Sequence, residues 1–320
     1  MLGPQKIHLA NIPTPIQKFK FDDSKFLIKR DDLTGLELSG NKVRKLEYLL
    51  YKAKVRKTDI IFTCGGSQSN HARATAVAAA SQGIKTKLFL WGKNSKLPDG
   101  NLFINKFIDS EIKYLNKKGY SDVNNIMEDE KKRYEKSGKR VFIIPEGGSS
   151  ALGIWGYINF IEELIRYPDF GPVKGILTAA GSGGTSAGLL VGSALNKMKI
   201  KIIAVNVLYP AKVIREKIMN LAYSCVEEFK LKCKIDETRL EILDGYSEEG
   251  YKNISEEKVK LLKSFAGSSG IILDPAYTGK AFYAFYLNFL RNKNKTDILF
   301  VHTGGFFGIL SKKKKYLSIE

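Results

Sequence analysis

A glycine-rich segment in the middle of the chain has the composition of an anion-binding loop. It lies between a predicted strand and a predicted helix, and it consists of Gly181, Ser182, Gly183, Gly184 and Thr185. Glycines let the backbone approach an anion closely, and the N–H groups at a helix start point towards it. The segment matches neither the P-loop nor the dinucleotide-binding fingerprint. We interpret it as a phosphate-binding loop, with a simple tight turn as the alternative.

A lysine at a helix start is the second candidate. Lys42 follows Ser39-Gly40-Asn41 and begins a predicted amphipathic helix. A cation is unfavourable at this end of a helix because the macrodipole is positive there, so we expect the pKa of Lys42 to be lowered. Imine chemistry needs such a lysine. The alternative is an ordinary solvated surface charge.

Polar residues also gather at other predicted strand ends. The loop GGSQSNH at 65–71 brings Ser69 and Asn70 to the start of an alanine-rich helix, where either could contact a ligand or only cap the helix. The segments DPAYTGK at 274–280 and VHTGG at 301–305 contain Tyr277, Thr278 and Thr303. Each of these segments alone is weak evidence for a site.

Alternating apolar runs and segments of helical period predict an α/β fold with parallel strands and crossover helices. The predicted strands are Phe26 to Lys29, Asp59 to Thr63, Lys85 to Leu90, Arg140 to Ile144, Gly175 to Ala179, Lys201 to Val207, Arg239 to Leu243 and Asp297 to His302. The predicted helices include Lys42 to Lys54, Asn70 to Ser81, Ser121 to Ser137, Ala151 to Arg166, Thr185 to Asn196 and Thr278 to Arg291. Several strands end at a glycine cluster that precedes a helix, which is where open parallel sheets bind ligands.

Length and composition predict a two-domain enzyme of the cytoplasm. The chain has 320 residues, and domains commonly span about 100 to 200 residues. Its first residues do not resemble a signal peptide, and no apolar run approaches the roughly 18 to 20 residues that span a bilayer. Cys64, Cys225 and Cys233 have no disulfide or metal-binding pattern, which favours a reducing compartment. The three histidines are far apart in sequence, so we expect no metal.

The formal net charge of +19 raises the question of a nucleic-acid partner. The lysines are spread along the whole chain and do not form a basic arm with interleaved aromatic residues. We therefore expect neither a nucleic-acid nor a membrane partner. The run KKKK at 312–315 is expected to be a solvated tail.

Taken together and in order, these segments resemble the pyridoxal-phosphate (PLP) enzymes of the tryptophan-synthase-β-like fold, fold type II. Specifically, they are similar to the D-cysteine desulfhydrase and 1-aminocyclopropane-1-carboxylate (ACC) deaminase family. The motifs run from KRDDLTGLELSGNKVRKLE at 29–47 through GGSQSNHAR, PEGGSSALGIWGY, GSGGTSAG and DPAYTGKA to FVHTGG, and so cover nearly the whole chain. Six ordered motifs are far more specific than one glycine loop.

The resemblance implies a role for each candidate residue. Lys42 is the Schiff-base lysine, Asn70 hydrogen-bonds the phenolic oxygen of PLP, and Gly181 to Thr185 hold its phosphate. Thr278 lies beside the pyridine nitrogen. The resemblance also implies cofactor contact by Thr303, and Ser69, Tyr251 and Tyr277 as further catalytic candidates, with Tyr246 as a rival for Tyr251.

The resemblance also implies the architecture. We expect two domains, each with an open, mostly parallel twisted sheet flanked by helices, and PLP in the cleft between them. The large domain comprises 1–50 plus 158–320, and the small inserted domain comprises 51–157. A homodimer and a small amino-acid substrate are expected.

The residue after the tyrosine of the DPxY motif distinguishes reactions within this family. The deaminases have a glutamate there, whereas this chain has Thr278. A hydroxyl keeps the pyridine ring nearly neutral, which is adequate for expelling a good β-leaving group. Together with His71, this predicts β-elimination from D-cysteine or a related amino acid to pyruvate, ammonia and hydrogen sulfide.

Three alternatives stay open at this stage. They are ACC deaminase, a lyase for another sulfur or sulfonate amino acid such as cysteate, and a non-catalytic basic protein that binds nucleic acid. The sequence does not determine whether the D or the L enantiomer is preferred, because stereochemistry depends on sub-ångström placement of the base.

Overall fold

The computed structural model of the chain describes residues 3–251 and 253–319, which contain two parallel-rich sheets. The strands are β1 (Ile16–Phe21), β2 (Ser24–Lys29), β3 (Ile60–Gly66), β4 (Lys85–Trp91), β5 (Glu111–Leu115), β6 (Val141–Ile143), β7 (Gly175–Ala180), β8 (Lys201–Asn206), β9 (Leu240–Leu243) and β10 (Lys295–Val301). The larger sheet has the order β1-β2-β10-β7-β8-β9, and the smaller has the order β5-β4-β3-β6. Only β1 and β2 pair antiparallel among the described strands.

Twelve α-helices of the described residues connect and cover these strands. They are α1 (Lys42–Val55), α2 (Asn70–Ala80), α3 (Gly100–Phe107), α4 (Lys117–Ser121), α5 (Val123–Lys136), α6 (Trp155–Ile165), α7 (Gly184–Leu195), α8 (Ala211–Glu228), α9 (Glu256–Ser269), α10 (Thr278–Phe285), α11 (Phe306–Leu310) and α12 (Lys313–Leu317). A π-helical turn, Tyr286–Leu290, continues α10. None of the helices within 3–251 and 253–319 is long and apolar enough to cross a membrane.

The larger sheet is buried on both faces, as parallel strands require. In β10, Leu299 belongs to the core under α6, α7 and α8, whereas the next residue, Phe300, belongs to the core under α9 and α10. The smaller sheet is covered by α1 and α2 on one face and by α5 on the other. The predicted two-domain α/β fold is confirmed, while the domain boundaries at 51 and 157 stay a prediction.

All eight predicted strands and all six predicted helices have a counterpart, with bounds that differ by a few residues. The pattern did not indicate β1 and β5, which are partly exposed edge strands whose lysines and glutamate resemble loop composition. It also did not identify α3, α8 and α9. The C-terminal run was expected to be a solvated tail, and Lys313 and Lys314 are exposed, but the segment is not an unstructured tail. Residues 313–317 form α12, and Ile319 after it is buried against the core.

Helix α1, which begins at Lys42, is buried on its charged side as well as on its apolar side. Its apolar residues, such as Leu46 and Leu50, pack in the core as predicted. On another side, the Arg44 guanidinium donates two hydrogen bonds to the Asp31 carboxylate, at 2.9 and 2.8 Å, and two to Glu163, at 2.8 and 3.2 Å. Burial opposes ionisation of Asp31, but Arg44 outweighs it and lowers the pKa of Asp31.

Close contact with α6 fixes the position of α1. A Cβ atom at Gly156 would lie 2.5 Å from the backbone of Arg44, so only glycine allows the two helices to approach this far. One residue further along α6, the Tyr157 hydroxyl donates to Asp31. The first turn of α1, which carries Lys42, is therefore tied to the larger sheet through Asp31 and α6.

We expect Asp31→Asn to destabilise the protein strongly, because it leaves the Arg44 charge buried with one anionic partner fewer. Removing one partner of a buried ion pair costs about 3 to 5 kcal/mol. Urea unfolding followed by circular dichroism measures this loss. The matched control is Asp59→Asn, which removes the partner of Arg140 in an exposed pair and should cause a much smaller loss. Equal losses in the two variants would contradict this description of α1.

Candidate active site

Residues from five separate segments line one narrow cavity at the carboxyl ends of the strands. Lys42 and Asn70 begin α1 and α2, Tyr277 precedes α10, and Thr303 follows β10. The glycine-rich loop between β7 and α7 forms the remaining wall, with Gly181, Ser182, Gly183, Gly184 and Thr185 all lining the cavity. The structure thus brings together residues that are up to 261 positions apart in the sequence.

The Lys42 amine has no hydrogen-bond or salt-bridge partner among residues 3–251 and 253–319. Burial lowers its pKa to about 8, while the charges of Glu146 and Asp274 act in the opposite direction. A charged amine is disfavoured there because it has lost water without gaining a direct anionic partner. The sequence argument expected a lowered pKa from the helix dipole, but burial is the main cause.

The glycine-rich loop closely approaches a second buried lysine, Lys45, one turn after Lys42 on α1. A Cβ atom at Gly184 would lie 2.5 Å from Lys45 Nζ. Lys45 donates to the Gly147 carbonyl and to the Ser149 hydroxyl, both at 3.2 Å, and has no carboxylate partner in the described residues. Burial, followed by the charge of Lys42, lowers its pKa well below the ordinary value.

Local geometry shapes this loop to receive an anion. Gly183 has a φ of 85°, a left-handed conformation that favours glycine, and it precedes the first turn of α7. The free N–H groups of that turn face the cavity end of the helix, where the macrodipole is positive. Ser186, one residue beyond Thr185, has a buried hydroxyl with no hydrogen-bond partner in the described residues. An anion here would find several unused donors.

Asn70 is oriented by a side chain that the sequence did not indicate. Asn101 Nδ2 donates to Asn70 Oδ1 at 2.8 Å, and Arg73 Nε donates in turn to Asn101 Oδ1. This leaves the amide NH2 group of Asn70 without an acceptor among the described residues. Ser69 caps α2 by accepting from the Ala72 N–H, so its own hydroxyl proton stays available. Ser69 can therefore cap the helix and still donate a hydrogen bond to a ligand.

Tyr277, which lines the narrow cavity, contacts a second tyrosine, Tyr251. The Tyr277 hydroxyl donates to the Tyr251 hydroxyl at 3.1 Å, and the two rings meet edge to face. Burial raises the pKa of both tyrosines, so both remain protonated at neutral pH. The rival Tyr246 lies away from the cavity, where its hydroxyl accepts from Asn288. Tyr251 is therefore the tyrosine that meets Tyr277.

Thr278 does not line the cavity surface and is completely buried behind Tyr277. Its hydroxyl donates to Asp274 Oδ1 at 2.8 Å and accepts from the Asp274 N–H at 2.9 Å. The Asp274 carboxylate also accepts the N–H groups of Ala276, Tyr277 and Thr278. At position 278 the chain therefore has a hydroxyl group. The adjacent Asp274 carboxylate is held by hydrogen bonds from residues 276 to 278.

A wider cavity adjoins the narrow one and shares Lys42, Ser182 and Tyr277 with it. Ser69, His71 and Tyr251 also line this wider cavity, together with Glu146, which the sequence did not single out. Burial lowers the pKa of His71 well below its ordinary value, and Thr63 contacts its Nε2 at 2.8 Å. His71 is thus a neutral, hydrogen-bonded wall residue. Within the described residues, no cluster of histidine, cysteine, aspartate and glutamate is arranged to hold a metal.

Comparisons of the sequence with known proteins identify related enzymes. A family model described as pyridoxal-phosphate dependent enzyme matches residues 7–304. A Thermotoga maritima protein named "Putative 1-aminocyclopropane-1-carboxylate deaminase" is 40% identical, over 97% of this chain and 99% of its own length. An Arabidopsis thaliana protein named bifunctional D-cysteine desulfhydrase/1-aminocyclopropane-1-carboxylate deaminase, mitochondrial, is 35% identical, over 97% of this chain and 80% of its own length.

Solved structures of similar fold include two enzymes or enzyme homologues. A crystal structure described as an ACC deaminase homologue is 33% identical and superposes with a TM-score of 0.89, covering 99% of this chain and 97% of its own. A hydrogen sulfide-producing enzyme from Fusobacterium nucleatum is 14% identical with a TM-score of 0.66, covering 92% of this chain and 94% of its own. At this lower identity, the comparison shows a common fold.

The lowered pKa of Lys42 predicts its reactivity towards small aldehydes. At pH 8, roughly half of an amine with a pKa of about 8 is neutral, against roughly one in 250 for an ordinary lysine. Brief reductive methylation of cofactor-free protein with formaldehyde, mapped by mass spectrometry, should therefore label Lys42 with a rate that levels off above pH 8. Free Nα-acetyl-lysine in the same reaction is the comparison, and its rate should continue to rise above pH 8. Identical pH profiles would contradict the predicted pKa.

Proposed function

Because this chain belongs to the pyridoxal-phosphate dependent enzymes, within the D-cysteine desulfhydrase and ACC deaminase family, we propose that it catalyses β-elimination from D-cysteine or a related small amino acid. The products are pyruvate, ammonia and hydrogen sulfide. The observation that carries the proposal is the arrangement of the narrow cavity. There, the buried Lys42 amine and the glycine-rich loop face one space, with the Thr278 hydroxyl behind it.

The residues present fit PLP. Its phosphate requires an anion site, and the cavity has the start of α7 and the Ser186 hydroxyl, which has no hydrogen-bond partner among the described residues, while the buried Lys45 amine lies against the loop at Gly184. A bound phosphate would favour the charged form of Lys45, which burial alone disfavours. Its aldehyde requires an amine that is neutral near physiological pH, which the lowered pKa of Lys42 supplies.

We assign the holding residues on this basis. Lys42 forms the covalent link, Gly181 to Thr185 and Lys45 hold the phosphate, and Asn70 donates its free amide N–H to the phenolic oxygen. Thr303 would bound the ring from the β10 side, and Thr278, buried behind Tyr277, would support the α10 side through its contacts with Asp274 and the Gly304 carbonyl. When bound, PLP supplies an electron sink that stabilises negative charge developing at the substrate α-carbon.

The chain's own groups perform the remaining steps. Lys42 would act as the base that removes the proton from the substrate α-carbon, because its lowered pKa keeps part of the amine neutral. Ser69, at the start of α2, offers its hydroxyl proton and the helix N-terminus to the substrate carboxylate. Tyr251 and Tyr277 stay protonated, so they act as hydrogen-bond donors that bound the reacting atoms and exclude water.

The hydroxyl of Thr278 favours β-elimination over ring opening. A carboxylate beside the pyridine nitrogen would stabilise a protonated ring and a strongly delocalised carbanion, which an unactivated cyclopropane needs. Here the Asp274 carboxylate accepts four hydrogen bonds from its own loop and reaches the site only through the Thr278 hydroxyl. Expulsion of hydrosulfide, a good leaving group, needs less delocalisation.

ACC deamination is the second candidate, because relatives over nearly the whole chain carry that name. The Arabidopsis thaliana relative is named for both activities.

We propose a cytoplasmic homodimer. The free thiols of Cys64, Cys225 and Cys233 support a reducing compartment, and strongly exposed Leu97 and Phe107 support burial in an interface.

The proposed reaction predicts which substrates release keto acids. Purified protein should release pyruvate from D-cysteine faster than 2-oxobutanoate from ACC, and Lys42→Ala should abolish both activities. L-cysteine in the same assay determines the preferred enantiomer. If ACC is turned over faster than cysteine, the role of Thr278 is wrong, although the cofactor site stands. If the protein neither absorbs in the visible range with PLP nor releases either product, the enzyme proposal itself is wrong.

The assignment of Lys45 predicts a defect that depends on the cofactor phosphate. Lys45→Met should weaken PLP binding by about tenfold to a hundredfold, as expected for loss of one charge-assisted hydrogen bond. Binding of pyridoxal, which lacks the phosphate, should change little. Lys54→Met, an exposed position on the same helix, is the control. Equal weakening for PLP and pyridoxal would mean that Lys45 has only a structural role.

A further inference from the structure

The wider cavity contains a carboxylate that the reaction described above does not use. Among the described residues that line this cavity, Glu146 is the only acidic one. It follows β6 and starts a tight turn, Glu146–Gly148, in which Gly147 has a φ of 69°. Substitution of Gly147 would be strained in this conformation, so the turn fixes the position of Glu146 on the cavity wall.

Hydrogen bonds from both sides of the cavity hold the Glu146 side chain. Tyr120 of α4 donates its hydroxyl to Oε1 at 2.6 Å, and Tyr209, which follows β8, donates to Oε2 at 3.3 Å. These neutral donors orient the carboxylate but leave its negative charge in place. Within residues 3–251 and 253–319, no lysine, arginine or histidine forms a salt bridge with Glu146.

The negative charge of Glu146 acts on the reacting end of the cavity. It raises the pKa of Lys42, although burial lowers that pKa more, and it adds to the raised pKa of Tyr251 and Tyr277. Glu146, Lys42 and Tyr277 all line the wider cavity, and Lys42 and Tyr277 also line the narrow one. A substrate held at Lys42 therefore has the Glu146 carboxylate on the wall of the same cavity.

The basic residues that line this cavity form no salt bridge with Glu146 among the described residues. Lys117 and Lys217 line its rim, but both are exposed to solvent, and Lys217 lies over the Tyr209 ring at 4.9 Å. The Cys64 thiol lies beside Tyr120, and burial together with Glu146 raises its pKa to about 12. Cys64 is thus protonated and unsuited to act as a nucleophile.

We infer that Glu146 determines substrate specificity: it selects amino acids whose short side chain ends in a hydrogen-bond donor, a thiol or an amine, and disfavours side chains that end in an anion. This inference deepens the proposed function and rests on it. Glu146 acts on the substrate side chain as an acceptor and as a negative charge. Sulfonate, carboxylate and phosphate side chains would meet repulsion at this wall.

Cysteine and 2,3-diaminopropionate both belong to this class, and both would react by β-elimination. Loss of the α-proton supplies the electron pair that breaks the bond from the β-carbon to sulfur or to nitrogen, and the departing atom takes that bond's pair. Cysteine and water give pyruvate, ammonia and hydrogen sulfide. In the same way, 2,3-diaminopropionate and water give pyruvate and two molecules of ammonia. Neither reaction needs an oxidant or a reductant.

The test compares substrates that differ in the charge of the side chain. Pyruvate release gives kcat/KM for both enantiomers of cysteine, 2,3-diaminopropionate and cysteate with the PLP-loaded protein. Wild-type protein should turn over cysteine or the diamine at least about tenfold better than cysteate, as one unscreened charge predicts. Glu146→Gln keeps the shape and the tyrosine contacts. It should shift the ratio towards cysteate by about tenfold, whereas Glu162→Gln, which lines a separate cavity, should leave the ratio unchanged.

A binding measurement separates this inference from the proposed reaction. Aspartate and 2,4-diaminobutyrate have no β-leaving group, and their binding is followed by the change in absorption of bound PLP. Wild-type protein should bind the diamine more tightly, and Glu146→Gln should reduce that preference. If cysteine releases pyruvate but the ratios are the same in wild type and Glu146→Gln, or if wild type prefers cysteate, the inference is overturned. If no compound releases pyruvate, the proposed reaction fails, and the binding series alone decides the role of Glu146.

Discussion

The structure depends on keeping the Lys42 amine inside the protein without a directly paired carboxylate. Such burial is unfavourable for a cation, and the protein combines it with a second buried lysine, Lys45, one turn away on the same helix. The remainder of α1 compensates for this. Arg44 on a neighbouring side of the helix is paired with Asp31 and Glu163, and Gly156 lets α6 pack directly on the helix backbone. The first turn can therefore carry unpaired amines because the helix beneath it is firmly anchored.

These unpaired amines, the start of α7 and the buried Ser186 hydroxyl together define a site that is incomplete without an anion. A cofactor with both a phosphate and an aldehyde satisfies the two lysines in different ways, since one forms a bond and the other an ion pair. Glu146 lies on the wall of the wider cavity, which also contains Lys42. In the function that we propose, the cofactor phosphate lies among the unused donors of the narrow cavity, and the substrate side chain lies on the side of Glu146.

The order of strands and helices could be predicted because buried parallel strands are apolar runs and because glycines mark their ends, as at Gly181 to Thr185. Lys42 could be found because its motif recurs within a family. Lys45 and Glu146 were not predicted, since single charged residues in helices and loops are normally exposed. The burial of Lys45 and the position of Glu146 on a cavity wall follow from contacts across long stretches of chain, such as the hydrogen bond from Lys45 to Gly147, 102 positions away. Asn101 was missed for the same reason, because its link to Asn70 joins two helices.

The central claim is that Lys42, and not its neighbour Lys45, forms the covalent link to PLP. Reduction of the PLP-loaded protein with borohydride makes this link permanent, and peptide mapping by mass spectrometry then identifies the modified lysine. Our description of the site predicts a single pyridoxyl group on Lys42, with Lys45 unmodified. A pyridoxyl group on Lys45 or on an exposed lysine, or no modification of protein that has bound PLP, would contradict it.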